Sequence, residues 1–328
     1  MARKYGREIN GWLILDKPLG PTSTDMVNKL LRLFDARKAG HGGTLDPLAT
    51  GVLPVAFGRA TATIPYIMDA TKRYCFTLKF GESRTTDDGE GEPLAFSDYR
   101  PSDEEIRVSL PQFCGNVMQV PPIYSALRVG GKRAYDLARA GRSPEMPPRQ
   151  VRIDSVELIE RPDQDHAVFE VQSGKGVYMR SLARDIALAC GTVGHITVLR
   201  RLQCGPFDLS HAYKLDEIVL DKRAETRDKS ETLPVPLLEV ATALADIPAL
   251  AVTKAEGKAL ICGQTVEVSS WNGTSLRGFD VSAKAETLWR VVLEGHVLGL
   301  CRFDEGRLRA VRMLENHLFF GENDVDYT

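Results

Sequence analysis

The stretch Gly40-His41-Gly42-Gly43-Thr44-Leu45-Asp46-Pro47-Leu48-Ala49-Thr50-Gly51 puts a histidine and an aspartate where neither a helix nor a central strand can form. Its four glycines and one proline demand turns or close approach to a ligand. Leu45 and Leu48 flank Asp46, which sets a carboxylate against a dry wall, a candidate activated acid on a loop. An isolated loop aspartate usually caps a turn, but three other segments supply partners for chemistry. Lys72-Arg73-Tyr74 enters a strand with its tyrosine on the apolar face, and Gly174-Lys175-Gly176-Val177-Tyr178-Met179-Arg180 joins a strand to a helix. His195 to Leu202 carries Leu199 followed by two arginines.

Elements must hold these segments in place. Gly11 to Pro18 reads as a short buried strand ending in a proline turn. Thr22-Ser23-Thr24-Asp25 offers an N-cap with an acid in the first turn, and Val27, Leu30, Leu31 and Phe34 follow at helical spacing. Lys38 and Gly40 are expected to close that helix, so that the Asp46 loop starts where the helix stops. Tyr74, Phe76, Leu78 and Phe80 alternate with Cys75, Thr77 and Lys79, the period of a strand with one buried face. The acidic residues 82–105 read as a hairpin and surface loop, Pro121 to Leu127 as extended or turn-like, and Lys132 to Arg139 as helical. His166 to Gln172 is a second strand. Met179, Leu182, Ala183, Ile186 and Cys190 mark one face of a helix that stops at Gly191, and His195 to Leu202 reads as a turn into a strand. This interleaving predicts an α+β fold on a mixed, largely antiparallel sheet.

At 328 residues the chain fits two domains. The charged, Pro-containing stretch 221–240 marks the boundary, with a larger unit at 1–235 and a small β-rich unit at 245–320. The small unit should hold a helix, Thr253 to Cys262, and a hairpin turning at Asp304-Glu305-Gly306. No apolar run nears the roughly 20 residues that span a bilayer, and no signal-peptide core follows the N-terminus, so a soluble cytoplasmic protein is expected. Six scattered cysteines without clustered histidines argue against a zinc site and a disulfide framework. The net charge of −2 does not itself point to nucleic acid. Residues 1–75, however, carry eleven bases against six acids, which favours a polyanion near the loop. A solvated mixed-charge surface gives the same counts.

The motif Gly-His-x-Gly-x-Leu-Asp-Pro-x-Ala-x-Gly at 40–51 resembles the catalytic motif of the TruB family of tRNA pseudouridine synthases. Asp16-Lys17-Pro18 with Thr22-Ser23, Lys72-Arg73-Tyr74, and Tyr124-Ser125-Ala126-Leu127 with Gly131-Lys132 are similar to further motifs of that family, in the same order. So are Lys175-Gly176-x-Tyr178-x-Arg180 and Leu199-Arg200-Arg201-Leu202. The resemblance covers residues 9–210. The tail resembles the small RNA-binding PUA-type domain more loosely, and its end is acidic, with Glu315, Glu322, Asp324 and Asp326.

The resemblance implies a pseudouridine synthase-type catalytic domain that isomerises the T-loop uridine of tRNA (position 55 in tRNA numbering). The N-glycosidic bond breaks and the base is re-attached through carbon, with no cofactor or metal. The enzyme would be a monomer that acts on the T arm without an obligatory protein partner and assists tRNA folding. Asp46 matches the catalytic aspartate, a nucleophile toward the ribose or its glycal-forming equivalent. Such chemistry passes through an oxocarbenium-like state that a carboxylate stabilises or traps. Arg180 would hold Asp46 ionised and aimed. Tyr74 would stack on the base and take part in proton transfer, Tyr178 and Leu199 would line the uracil pocket, and His41 would contact RNA near the flipped nucleotide. Lys17, Lys72 and Arg73, with Lys132, Arg133, Arg200 and Arg201, are expected at phosphates. Two other classes stay open at this point: an RNA-binding or RNA-folding module, and an N-glycosylase that releases free base.

Overall fold

The alternating stretch after Thr71 forms β4 (Lys72–Phe80), with Phe76, Leu78 and Phe80 fully buried. Its neighbour β11 (His166–Ser173) sets Phe169 opposite Phe76, ring centroids 5.3 Å apart in a stacked pair. Such cross-strand pairs fix the register of a half-buried sheet. The computed structural model describes residues 5–125, 127–141, 144–218, 233–267, 288–304 and 306–314. The chain divides into two units between Glu239 and Val240.

In the first unit, ten strands share one sheet. They include β1 (Gly11–Lys17), β2 (Ala39–His41), β3 (Ala49–Phe57), β7 (Gly115–Gln119) and β10 (Arg149–Glu160). Also present are β12 (Gly194–Cys204), β13 (Phe207–Asp208) and β14 (Ala212–Lys214). The order is β14-β1-β3-β12-β4-β11-β10-β7, with β2 on β3 and β13 on β12. Only β1–β14 and β3–β12 pair in parallel, so the fold is α+β on a mixed, largely antiparallel sheet. Between β4 and β7 lie the hairpin β5–β6 (Glu82–Arg84, Pro93–Phe96) and the helix α3 (Asp103–Ser109).

Two helices pack on the sheet and carry site residues. The first, α1 (Ser23–Leu33), starts at Thr22 with a capping box closed by Asp25 and buries Val27, Leu30 and Leu31. It stops earlier than the expected Lys38 and Gly40. Asp35 takes a left-handed φ of +48°, the Ala36 N–H reaches the Leu31 carbonyl at 3.0 Å, and the Asp35 N–H reaches Arg32 at 3.2 Å. That is a Schellman stop made with aspartate, a residue that tolerates this region, and it frees Ala39 to His41 to pair as β2. The second, α5 (Met179–Ala189), stops at Gly191 (φ +76°) as expected. Lys132–Arg133 does not begin a helix: these residues form β9 against β8 (Arg128–Val129), and α4 is Ala134–Arg139. Between β3 and β4 runs α2 (Ile64–Asp69).

The second unit is a five-stranded sheet, β15-β17-β18-β19-β16. Its strands are β15 (Ala249–Ala251), β16 (Val266–Glu267), β17 (Leu288–Leu293), β18 (His296–Asp304) and β19 (Arg307–Met313). The helix α6 (Lys254–Ile261) is capped by Thr253 with Glu256, and Leu250, Leu260, Leu298 and Leu308 form the core. Residues 221–232 of the expected linker and the acidic residues 315–328 lie outside the described residues. Among the described residues no helix is long and apolar enough to cross a membrane.

His195 lies inside β12 rather than in a turn. It is 2% exposed, and its Nδ1–H donates to the Glu82 carbonyl at 2.7 Å. Burial pulls its pKa below the ordinary 6.5, and burial with the nearby Arg201 charge does the same to His41. The unfolded chain takes up these protons near 6.5 and the folded chain only at lower pH. The stability held above pH 6.5 is therefore lost as pH falls through the folded values. Thermal unfolding should show Tm dropping between pH 6.5 and 5, with a shallower drop in His195→Gln. A flat Tm across that interval contradicts this assignment.

Candidate active site

The loop between β2 and β3 is tied down on both sides of Asp46. The Ser23 hydroxyl, in the first turn of α1, accepts from the Leu45 N–H at 2.8 Å and donates to the Leu45 carbonyl at 3.1 Å. Beyond the aspartate, Lys17 Nζ donates to the carbonyls of Ala49 (2.7 Å), Pro18 (3.0 Å) and Pro47 (3.3 Å). Three ammonium hydrogens thus meet three carbonyls. Burial pulls the Lys17 pKa down to about 8, and Asp46 acts in the opposite sense, so the side chain stays protonated at neutral pH. Two glycines let the loop sit this close. Gly51 has φ +97°, and a Cβ there would stand 2.2 Å from the Arg201 carbonyl; at Gly42 a Cβ would stand 2.6 Å from Ile67.

Asp46 Oδ2 lies 3.0 Å from Arg180 Nη2. Arg180 is the second residue of α5 and only 5% exposed, so its charge needs partners. Nη1 donates to the Thr86 carbonyl at 3.1 Å and lies 3.4 Å from Asp88 Oδ2, while Nη2 also donates to the Tyr124 carbonyl at 3.0 Å. Two carboxylates and two carbonyls around one guanidinium fix its plane and aim it at Asp46. Asp88 comes from the acidic stretch read above as surface loop. The structure corrects that reading, because the hairpin tip folds inward and Asp88 is 2% exposed. Arg184 holds the tip through Asp87 at 2.8 Å, and the Ile196 N–H donates to the Asp87 carbonyl at 3.1 Å.

A cavity of about 360 Å³ opens beside Asp46, and Lys72, Tyr74, Tyr178, Arg180 and Leu199 line it as well. Leu199 stands opposite Ala49 across the parallel β3–β12 pair, which places an apolar wall next to the aspartate. Tyr74 has its phenol pKa pushed up by burial, while the positive charge of Arg201 beside it pulls the other way. Its hydroxyl is a neutral donor at physiological pH. Tyr178 immediately precedes α5, and the Arg149 guanidinium lies 4.9 Å from its ring centroid, a cation–π contact.

Other expected site residues stand elsewhere. Lys17 is fully buried and committed to loop carbonyls, so it anchors the loop instead of meeting a phosphate. Lys72 lines the cavity, yet its ammonium goes to the Met68 and Ala70 carbonyls at the negative end of α2. Arg200 forks onto Asp16 at 2.8 and 3.0 Å. Arg201 is 1% exposed and bonds the Val52 carbonyl at 2.7 Å and the Gly43 carbonyl at 3.1 Å, tying β3 to the Asp46 loop. Arg73 projects from the opposite face of β4 and pairs with Glu170 at 3.3 Å. His41 ends β2, half-buried and outside the cavity lining. Thr86, Asp88 and Arg149 carried no signal in the sequence. Their partners lie far along the chain, and a lone aspartate in an acid-rich stretch looks solvated.

Comparison with known proteins identifies the family. Residues 31–179 match the model of the TruB family pseudouridylate synthase N-terminal domain, and residues 180–245 that of the tRNA pseudouridylate synthase B C-terminal domain. A tRNA pseudouridine synthase B from Gluconobacter oxydans (strain 621H) is 69% identical over 328 residues, covering 100% of this chain and 97% of the relative. One from Gluconacetobacter diazotrophicus is 58% identical over 314 residues, covering 96% and 100%. Among solved structures, a chain of an H/ACA RNP bound to a substrate RNA containing 2′-deoxyuridine superposes with a TM-score of 0.69 at 21% identity, covering 93% of this chain and 85% of that one. A chain of a Cbf5-Nop10-Gar1 complex gives 0.67 at 24%, covering 93% and 84%. At those identities the structural likeness is one of fold. With relatives this similar along its whole length, the chain belongs to the TruB family of pseudouridylate synthases.

Proposed function

We propose that this enzyme, an isomerase by family, converts the T-loop uridine of tRNA (position 55) to pseudouridine, with Asp46 acting on the ribose. The observation that carries the reading is the Asp46–Arg180 pair at 3.0 Å on the wall of a cavity lined by Tyr74, Tyr178 and Leu199. A carboxylate held ionised and aimed suits the electron-poor sugar carbon that appears as the C1′–N1 bond breaks. Aromatic and apolar walls replace the stacking that the everted base gives up. The base leaves as a delocalised anion, re-attaches through C5, loses the C5 proton and gains one at N1. Substrate and product are therefore isomers.

Within this reading the T arm is the recognised element, the β-rich unit is the PUA-like RNA-binding part, and one chain acts alone as a monomer. A T-arm stem-loop RNA carrying tritium at C5 of uridine tests it, since forming the C1′–C5 bond expels that hydrogen. Wild-type protein should release tritium from the T-loop uridine and from no other. No release from that uridine would remove the reading. A primary isotope effect from deuterium at the ribose 2′ position would assign Asp46 as base toward that proton.

A further inference from the structure

Most buried polar groups around the cavity have protein partners. Lys72 and Arg201 bond carbonyls, and the two Nη atoms of Arg180 bond carbonyls and carboxylates. Three groups differ: Arg149 Nε, whose guanidinium is otherwise held by the Gly176 carbonyl and the Tyr178 ring, and the pair Ser125 Oγ and Arg180 Nε, which share a neighbouring peptide. Both atoms of the pair are buried, both residues line the cavity, and neither atom meets a donor or acceptor among the described residues. Ser125 is 5% exposed and its backbone is fixed. Its N–H donates to the Ile123 carbonyl at 3.0 Å, and its carbonyl accepts from the Tyr135 N–H at 3.1 Å. The carbonyl just before it, that of Tyr124, accepts from Arg180 Nη2, so the two unpartnered groups are tied together through one peptide. A buried hydroxyl with no partner is destabilising and calls for a reason. A ligand atom that completes it is such a reason.

Uracil offers the matching chemistry. Its imide edge is a carbonyl, an N3–H and a second carbonyl. Rotating the detached base about the axis through N3 and C6 exchanges C2=O with C4=O and N1 with C5. The edge is the same before and after, while the atom facing the sugar changes from nitrogen to carbon. We propose that Ser125 Oγ, together with Arg180 Nε, receives this imide edge, the hydroxyl accepting from N3–H and the guanidinium N–H donating to a flanking carbonyl. The assignment rests on the pseudouridine synthase reading above. It gives the site a contact that retains the base through the rotation, which the Asp46–Arg180 pair does not supply.

Full-length wild type and Ser125→Ala are compared on T-arm stem-loop RNA carrying uridine or N3-methyluridine at the target, with single-turnover rates, RNA affinity and Tm read in parallel. Ser125→Ala should keep or raise Tm, leave RNA affinity within twofold, and slow conversion of uridine by about tenfold to a hundredfold. The wild-type preference for uridine over N3-methyluridine should shrink by a similar factor in the variant, and Ser125→Cys should fall between the two. Conversion within twofold of wild type overturns the assignment, and so does an unchanged preference for uridine. A Tm loss with equal slowing on both substrates marks Ser125 as structural and also overturns it. A wild type that forms no pseudouridine at all removes the underlying reading as well, and is recognised by the control lacking any substitution.

Discussion

Asp46→Asn should lower pseudouridine formation by about 10⁴-fold or more, the scale of losing the group that acts on the substrate. The fold should survive. Asparagine keeps the shape of the side chain and leaves an oxygen for Arg180, and the Asp46 carboxylate is 36% exposed. A half-solvated ion pair of this kind contributes on the order of 1 kcal/mol, a Tm change of a few degrees. RNA affinity should stay near wild type, because stacking against the aromatic and apolar walls rather than Asp46 supplies it. Single-turnover conversion, filter binding and thermal unfolding on the same preparations check all three. Turnover that survives the substitution would mean that Asp46 is not the group acting on the ribose.

Arg180→Met should cost both activity and stability, the latter by about 3–5 kcal/mol. The reason is Asp88, whose side chain is 3% exposed and faces Arg180 Nη1 at 3.4 Å. Without the guanidinium, that carboxylate is buried with no countercharge, and the Thr86 and Tyr124 carbonyls lose their donor. The double variant Arg180→Met with Asp88→Asn separates the two losses. It should regain a large part of the stability and none of the turnover, because Asp46 still lacks its aiming partner. Chemical denaturation midpoints and turnover measured together decide this. A single variant as stable as wild type would show that Asp88 does not depend on Arg180.

The local devices were legible because each is written within a few residues. Thr22 with Asp25 states the cap of α1, the Tyr74–Phe80 alternation states a strand, and Gly191 states the end of α5. The helix stop after Leu33 carries no glycine signal, because aspartate in a left-handed position does the work that glycine usually does. Charge was the least readable property. Lys17, Lys72, Arg200 and Arg201 all look like phosphate ligands in one dimension, yet each is bound to carbonyls or a carboxylate by segments remote in the chain. Asp88 shows the converse, a residue from an acid-rich stretch buried against Arg180. What the sequence does carry is the ordered set of motifs around Asp46, and the cavity brings Asp46, Tyr74, Tyr178, Arg180 and Leu199 together.

The cavity beside Asp46 is proposed to isomerise a tRNA uridine and to keep its base. Mass spectrometry with carbodiimide labelling of tRNA incubated with the purified protein, together with an assay for free uracil, separates isomerisation from base release. The expected result is one new carbodiimide-reactive pseudouridine in the T loop, no mass change in the unlabelled RNA and no free uracil. Free uracil with an abasic T loop, or an unlabelled T loop, would contradict it.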